Sequence, residues 1–363
     1  METSRNILDL PLELLHIIFG NLHVHDQCSL AFTHPYLRQA FTYQAGNRYT
    51  NIFPSLHFKP WSHILAICGS TVLHISEEFF ILEESLMRTI EQNCTNLQSI
   101  SIGINESNCN KVRAFLSNLK SLRSVNLWIE CVATPKLFRV LRKIKDLKGL
   151  EFLRYVGPEE WEMSSFLDLE SLSITISSNK TRVDVLVWCL ALKNLRRLKL
   201  AGFEEWRSIY GPSENIALEE LVLNDCDPTS DWPLFHQLKT LKDCYTSLVR
   251  SHHQFALKHA KTLEKLVVSY VLSGNEFFEI LLCCKNLRYL EIKYINMQIN
   301  NENLVTILGI LKENGVTRHK PFEILLDPIM SYVLDLVSTS NITNVVFMAI
   351  SFFYSWWVFP VQK

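Results

Sequence analysis

The sequence predicts an α/β solenoid: parallel strands side by side on a concave face, helices and loops outside, and a small all-α block in front. Three observations carry the prediction. An apolar pattern, L-x-x-L-x-L, recurs at nearly even steps between residues 97 and 292. Several segments between its copies show helical rather than strand spacing. Residues 8–41 hold three short helical patterns in a row.

The N-terminal block reads LDLPLELLHIIFGNLHVHDQCSLAFTHPYLRQAF. Pro11 suits the first turn of a helix whose Leu14, Leu15, Ile18, Phe19 and Leu22 make one wide apolar stripe. Asp26 is placed to cap a second helix carrying Cys28, Leu30 and Ala31, and Tyr36, Leu37 and Phe41 begin a third. Three short helices cannot enclose a self-sufficient core, so the block must lean on the repeats or on a partner. The string Leu10-Pro11-x-Glu13-Leu14-Leu15-x-x-Ile18-Phe19-x-x-Leu22, with Asp26, Leu30 and Leu37 behind it, resembles the F-box signature. Tyr36 stands nearest the place of that family's third-helix tryptophan. The resemblance implies docking onto the Skp-type adaptor of cullin-RING ubiquitin ligases. On the same ground Leu10, Pro11, Leu14, Leu15, Ile18 and Leu30 are the residues that would contact the adaptor.

Residues 61–80 read as an irregular first coil, with Val72 and Leu73 to Ile75 as its strand. The repeats proper then open at Leu97-x-x-Ile100-x-Ile102, Leu122-x-x-Val125-x-Leu127, Leu169-x-x-Leu172-x-Ile174 and Leu195-x-x-Leu198-x-Leu200. They go on as Leu218-x-x-Leu221-x-Leu223, Leu263-x-x-Leu266-x-Val268 and Leu287-x-x-Leu290-x-Ile292. Leu150-x-x-Leu153 and Leu238-x-x-Leu241 start the pattern but put Tyr155 and Asp243 in the last slot. First leucines follow one another at steps of 19 to 28 residues, the period of leucine-rich repeats. Asn105 and Cys226 fall where that pattern places Asn or Cys, to bond the turning backbone. Helical segments are expected after Thr134-Pro135, from Thr181 to Leu190, and over residues 302–312. The segments after Trp161 and Asp227 are too short for full helices. Phe322–Leu326 reads as a last strand. An F-box followed by leucine-rich repeats is a known family architecture, and it implies a horseshoe solenoid.

The chain has 363 residues and a formal net charge of -1, so bulk electrostatics draw it neither to nucleic acid nor to an acidic membrane. Ten cysteines occur singly apart from Cys283-Cys284, with no C-x-x-C pair. The N-terminus has no signal-like apolar run. Together these point to free thiols in the cytosol or nucleus, where the N-x-S/T sequons stay unglycosylated. No G-x-x-x-x-G-K-[ST], G-x-G-x-x-G or H-E-x-x-H occurs. The group His23, His25, Asp26 and Cys28 lacks a second ligand pair at zinc spacing. His252, His253 and His259 read as surface histidines on a helix, and Glu77-Glu78, Glu83-Glu84 and Glu159-Glu160 as solvated charge. No intrinsic catalysis, cofactor or metal is expected.

Slots flanking the apolar residues of each strand point onto the concave face. They carry Ser99, Ser101, Ser124, Asn126 and Trp128 early, and Arg154, Arg197, Lys199, Lys242, Lys265 and Lys293 later, against Glu220 and Glu291. Two readings stand: a solvated face, and a basic stripe that selects an acidic or phosphorylated protein substrate. From Leu336 to Gln362 no charged residue occurs, and Val345–Val361 is nearly all apolar. Packing of a final coil, a C-terminal membrane anchor with Trp356 and Trp357 at the interface, and an anomalous terminus are the three readings. Ser351, Tyr354 and Ser355 interrupt the run and favour the first. The domain reading is F-box at 5–45, a connecting segment and first coil at 46–93, repeats at 94–340 and a tail at 341–363. Function follows as the substrate-recognition subunit of a cullin-RING ligase acting in proteasomal degradation. The alternatives are a non-catalytic repeat binding module and a tail-anchored scaffold.

Overall fold

The computed structural model describes residues 6–46, 48–53, 61–76, 81–130, 135–155, 165–176, 191–202, 217–226, 234–244, 252–296, 301–317, 319–326 and 345–349. The chain divides into two compact units, Met1–Glu160 and Trp161–Lys363.

The first unit opens with a 3₁₀ turn at Ile7–Asp9 and three helices: α1 (Leu12–Gly20), α2 (Val24–Thr33) and α3 (Pro35–Ala45). Pro11 is the residue before α1, and Pro35 starts α3, where its fixed φ suits a first turn. His23, not Asp26, precedes α2; Asp26 lies inside its first turn, where a carboxylate still meets the positive end of the helix. Leu15, Phe19, Cys28, Ala31, Leu37 and Phe41 fill the space between the helices, with the Phe19 and Phe41 rings 5.6 Å apart. Buried Gln27 donates through Nε2 to the carbonyls of Phe19 at 2.7 Å and Leu22 at 2.8 Å, tying α2 to the end of α1 and the turn after it.

Strands and helices then alternate: β1 (Asn51–Ile52), α4 (Trp61–Cys68), β2 (His74–Ile75), α5 (Glu84–Asn93), β3 (Ser99–Ile104), α6 (Cys109–Asn118), β4 (Ser124–Ile129), α7 (Pro135–Leu141) and β5 (Gly149–Tyr155). The five strands pair in parallel and in chain order. Ile52, Ile75, Ile100, Val125 and Leu150 form one inward row across them. The first coil is more regular than expected, since residues 61–68 are helical. It is preceded by a further two-residue strand, of which Ile52 is the buried member.

One repeat frame is corrected. Leu150 pairs with Val125 and Phe152 with Leu127, and both are buried, as is Leu147. The coil therefore reads Leu147-x-x-Leu150-x-Phe152, not Leu150-x-x-Leu153, which removes both the longest and the shortest step of the series. Leu153 is left half-buried on the other side of the strand.

The second unit contains β6 (Ser171–Ile176), β7 (Arg197–Ala201), β8 (Glu220–Asn224), β9 (Thr240–Cys244), α8 (His252–Lys258), β10 (Lys265–Ser273), α9 (Gly274–Cys283), β11 (Tyr289–Asn296), α10 (Asn301–Glu313), β12 (Phe322–Leu326) and β13 (Val345–Ala349). These strands too are parallel and ordered as in the chain. Each first-slot leucine named for the other repeats is buried. This is the strand-and-helix pattern of leucine-rich repeats. The expected helices after Pro135 and over 302–312 are α7 and α10, and the expected last strand is β12. The tail adds a strand beyond it: β13 pairs with β12, Phe322 opposite Val345. No helix among the described residues is long and apolar enough to cross a membrane. The helix expected over Thr181–Leu190, the segments after Trp161 and Asp227, Glu77-Glu78, Glu159-Glu160, and residues 350–363 with Trp356 and Trp357 lie outside the described residues.

Of three polar positions, one behaves as expected and two do not. Cys226 Sγ does reach the Leu200 carbonyl of the preceding coil, at 3.5 Å. Asn105 instead caps its own turn, accepting from the N–H of Ser107 and of Asn108. The buried partner there is Asn108, which donates to the Gly103 carbonyl at 2.9 Å. His259 is no surface histidine: it is 1% exposed. Its Nε2 accepts the Phe235 N–H at 3.0 Å, and Nδ1 lies 2.9 Å from the Phe255 carbonyl.

Candidate functional site

The N-terminal helices present an apolar surface that their own core does not use. Leu15, at 0% exposure, faces Phe19 and the interior, so in this conformation it offers nothing to a partner. Leu14 is 47% exposed and Ile17 58% exposed, on the other side of the same helix. Pro11 is exposed, and Leu10, Ile18 and Leu30 are half-buried beside them. Helix α1 is thus apolar on two sides, an arrangement that requires cover on both. Ile17 was missed because the inward stripe already accounted for the helix; its signal is the i+3 spacing from Leu14. Tyr36, near the place of the expected tryptophan, donates its hydroxyl to the Leu10 carbonyl at 2.9 Å and ties α3 to the segment before α1. Beside this face Cys28 turns inward, its thiol pushed up to about 11 by burial, while His25 and Asp26 are exposed.

The open face of the first unit's sheet carries small polar residues, Ser99, Ser101, Ser124 and Asn126, with Trp128 at one end. The corrected frame puts Glu151, opposite Asn126, in the slot assigned to Arg154. Arg154 follows with φ 53. Its guanidinium lies 4.5 Å from the centre of the Trp128 ring and 3.9 Å from Glu130. The Trp128 N–H donates to Glu130 at 3.1 Å.

In the second unit, Arg197 and Lys199 stand on β7, Lys242 on β9, Lys265 on β10 and Lys293 on β11. Lys242 is engaged by Glu220 at 2.9 Å. Lys265 Nζ sits 3.8 Å above the Tyr289 ring, and the Tyr289 hydroxyl donates to Glu291 at 2.8 Å. Burial, then that bond, pushes the Tyr289 hydroxyl up to about 12. In the first unit Glu151 thus takes the slot assigned to Arg154, and in the second unit Lys242 is paired with Glu220.

Comparison with known proteins agrees with the N-terminal reading. Residues 7–47 match the F-box domain family. No curated protein matches the chain. Among solved structures, TLR13 in its complex with ssRNA13 aligns at 16% identity and a TM-score of 0.38, over 68% of this chain and 41% of that one. A Bacteroides fragilis protein aligns at 15% identity and a TM-score of 0.38, over 70% of this chain and 75% of that one. The chain thus spans less than half the length of the TLR13 chain. Likeness at this level adds nothing to the strand register and repeat pattern.

Proposed function

We propose, with the F-box domain at residues 7–47 as premise, that the protein is the substrate-recognition subunit of an SCF-type ubiquitin ligase. F-box domains typically bind Skp-type adaptors. The observation that carries the reading here is the outward apolar face of α1, with Leu14 and Ile17 exposed while Leu15 and Phe19 hold the core. Covering Leu14 and Ile17 removes apolar surface from water, worth roughly 1.5–3 kcal/mol for each side chain fully buried. The adaptor supplies that cover and links the chain to a cullin. The repeats present their open sheet faces to the protein to be ubiquitinated, and the chain performs no chemistry of its own.

The test is co-purification of the full chain with a Skp-type adaptor, beside a Leu14→Asp/Ile17→Asp variant. Both side chains are exposed, so the variant keeps its core, which circular dichroism checks. An unpaired carboxylate at a buried interface costs several kcal/mol, on the order of a thousandfold in affinity. Capture by the wild type and loss in the folded variant are the expected results. Failure of the wild type to capture the adaptor contradicts the reading and leaves a repeat protein that binds partners outside a ligase.

A further inference from the structure

We infer that the turns leading into β4 and β5 form a basic edge that docks on an anionic lipid surface. The inference goes beyond the receptor reading and does not depend on it.

Residues 118–148 hold eight lysines and arginines against two acids, in a chain whose formal net charge is -1. One of the acids, Glu130, is engaged by the Trp128 N–H and by Arg154, which leaves Asp146. The coil frame sets the cations side by side. Lys120 and Lys145 each stand two residues before the first leucine of neighbouring coils, Leu122 and Leu147, and Arg123 and Lys148 stand one residue after it. The N–H groups of Lys148 and Gly149 both donate to the Arg123 carbonyl, at 2.7 and 2.9 Å. The two turns therefore run one strand spacing, about 4.8 Å, apart. Lys136 and Arg139, three residues apart on α7, lead to Lys143 just past its end. Lys120, Arg123, Lys136, Arg139, Lys143 and Lys145 are all exposed. Among the described residues none of the six is held by an ion pair or a side-chain hydrogen bond.

Like charges in adjacent slots repel, and the second unit avoids this. Its residues after the first leucine alternate in sign and pair, Arg196 with Glu219 at 3.2 Å and Lys239 with Glu264 at 3.5 Å. The first unit puts Gln98, Arg123 and Lys148 in the same row. An external anion relieves that repulsion. Its class follows from how the cations are carried. A discrete ligand calls for groups locked in place by their neighbours, whereas these are mostly lysines, hydrated point charges on flexible stems. A fluid field of anionic headgroups needs only cations brought near its plane. A single-stranded nucleic acid would call for exposed rings on which bases stack, and residues 118–123 and 142–148 contain no aromatic.

The test is cosedimentation of the full chain with vesicles of phosphatidylcholine and phosphatidylserine, about three to one, beside pure phosphatidylcholine vesicles. Binding is expected only to the first kind, and it should weaken as salt rises. Each cation near such a surface contributes about fivefold, so Lys120→Gln/Lys145→Gln should lower the partition coefficient on the order of twenty-fivefold. Lys261→Gln/Lys285→Gln removes two exposed lysines from the same slots of two coils in the second unit, and it should leave binding nearly unchanged. Circular dichroism checks that both variants are folded. Absence of binding to the phosphatidylserine vesicles overturns the inference, as does equal binding to both kinds. Unchanged binding in Lys120→Gln/Lys145→Gln, or an equal loss in the two variants, overturns it too. Capture of poly-glutamate in solution without vesicle binding assigns the edge to an acidic protein and likewise overturns it.

Discussion

His259 carries an imidazole inside the second unit, between the rings of Phe235 and Phe255 at 5.8 and 4.6 Å. With the Phe235 N–H on Nε2, the proton belongs on Nδ1, facing the Phe255 carbonyl. Both nitrogens are then satisfied only in the neutral ring, and burial lowers the pKa from 6.5 to about 4. The unfolded chain accordingly takes the proton first as the medium is acidified. The stability due to this group is full above the unfolded pKa near 6.5 and is lost as pH falls towards about 4. The size is roughly 3 kcal/mol, at 1.36 kcal/mol per unit. Urea midpoints at pH 7.5 and 4.5 read it out. His259→Asn should be less stable at pH 7.5 and should lose less on acidification than the wild type. An equal acid loss in both would contradict the assignment. Nothing in the local sequence marks His259 as buried, because its partner Phe235 is brought to it by the coil and not by the helix it follows.

At the scale of the element, two ladders connect the coils. In four of the described coils the residue before the first leucine donates to a carbonyl of the preceding coil. Asn96 reaches the Ser70 oxygen at 2.8 Å, Ser121 that of Thr95 at 2.9 Å, Asn194 that of Leu167 at 3.1 Å and Asn286 that of Lys261 at 2.6 Å. The residue after the first leucine alternates in sign through the second unit: Glu170, Arg196, Glu219, Lys239, Glu264, Arg288. Arg196 meets Glu219 at 3.2 Å and Lys239 meets Glu264 at 3.5 Å. Exposed pairs of this kind add little stability, but misaligned coils would set like charges together, so the row specifies register. Asn96→Ala and Asn286→Ala should each lower stability by about 0.5–1 kcal/mol, as an urea midpoint shift at unchanged slope. No shift in either would mean that water replaces the bond at no cost. The strand frames were legible in the sequence wherever three apolar slots survived. Leu147-x-x-Leu150-x-Phe152 was misread because Leu153 offered an equally good leucine. β1 was invisible because two residues, Asn51 and Ile52, are too few to show a strand's alternation.

In the proposed receptor role, docking falls to the N-terminal helices and presentation to the open sheet faces of the repeats. The docking proposed for α1 uses apolar residues that were legible at once. Which of them face outward was not, since a helix apolar on two sides gives no direction from sequence alone. Leu15 turns inward and Ile17 stands exposed, which the stripe alone did not say. The presenting face was legible slot by slot, yet its charge balance depended on pairings such as Lys242 with Glu220 that only the folded register creates. The most direct test of the account is amide hydrogen exchange on the full chain, free and bound to a Skp-type adaptor. Slowed exchange confined to residues 10–37, with strands β6 to β12 unchanged, is the predicted result. Slowing over those strands, with residues 10–37 unaffected, would contradict it.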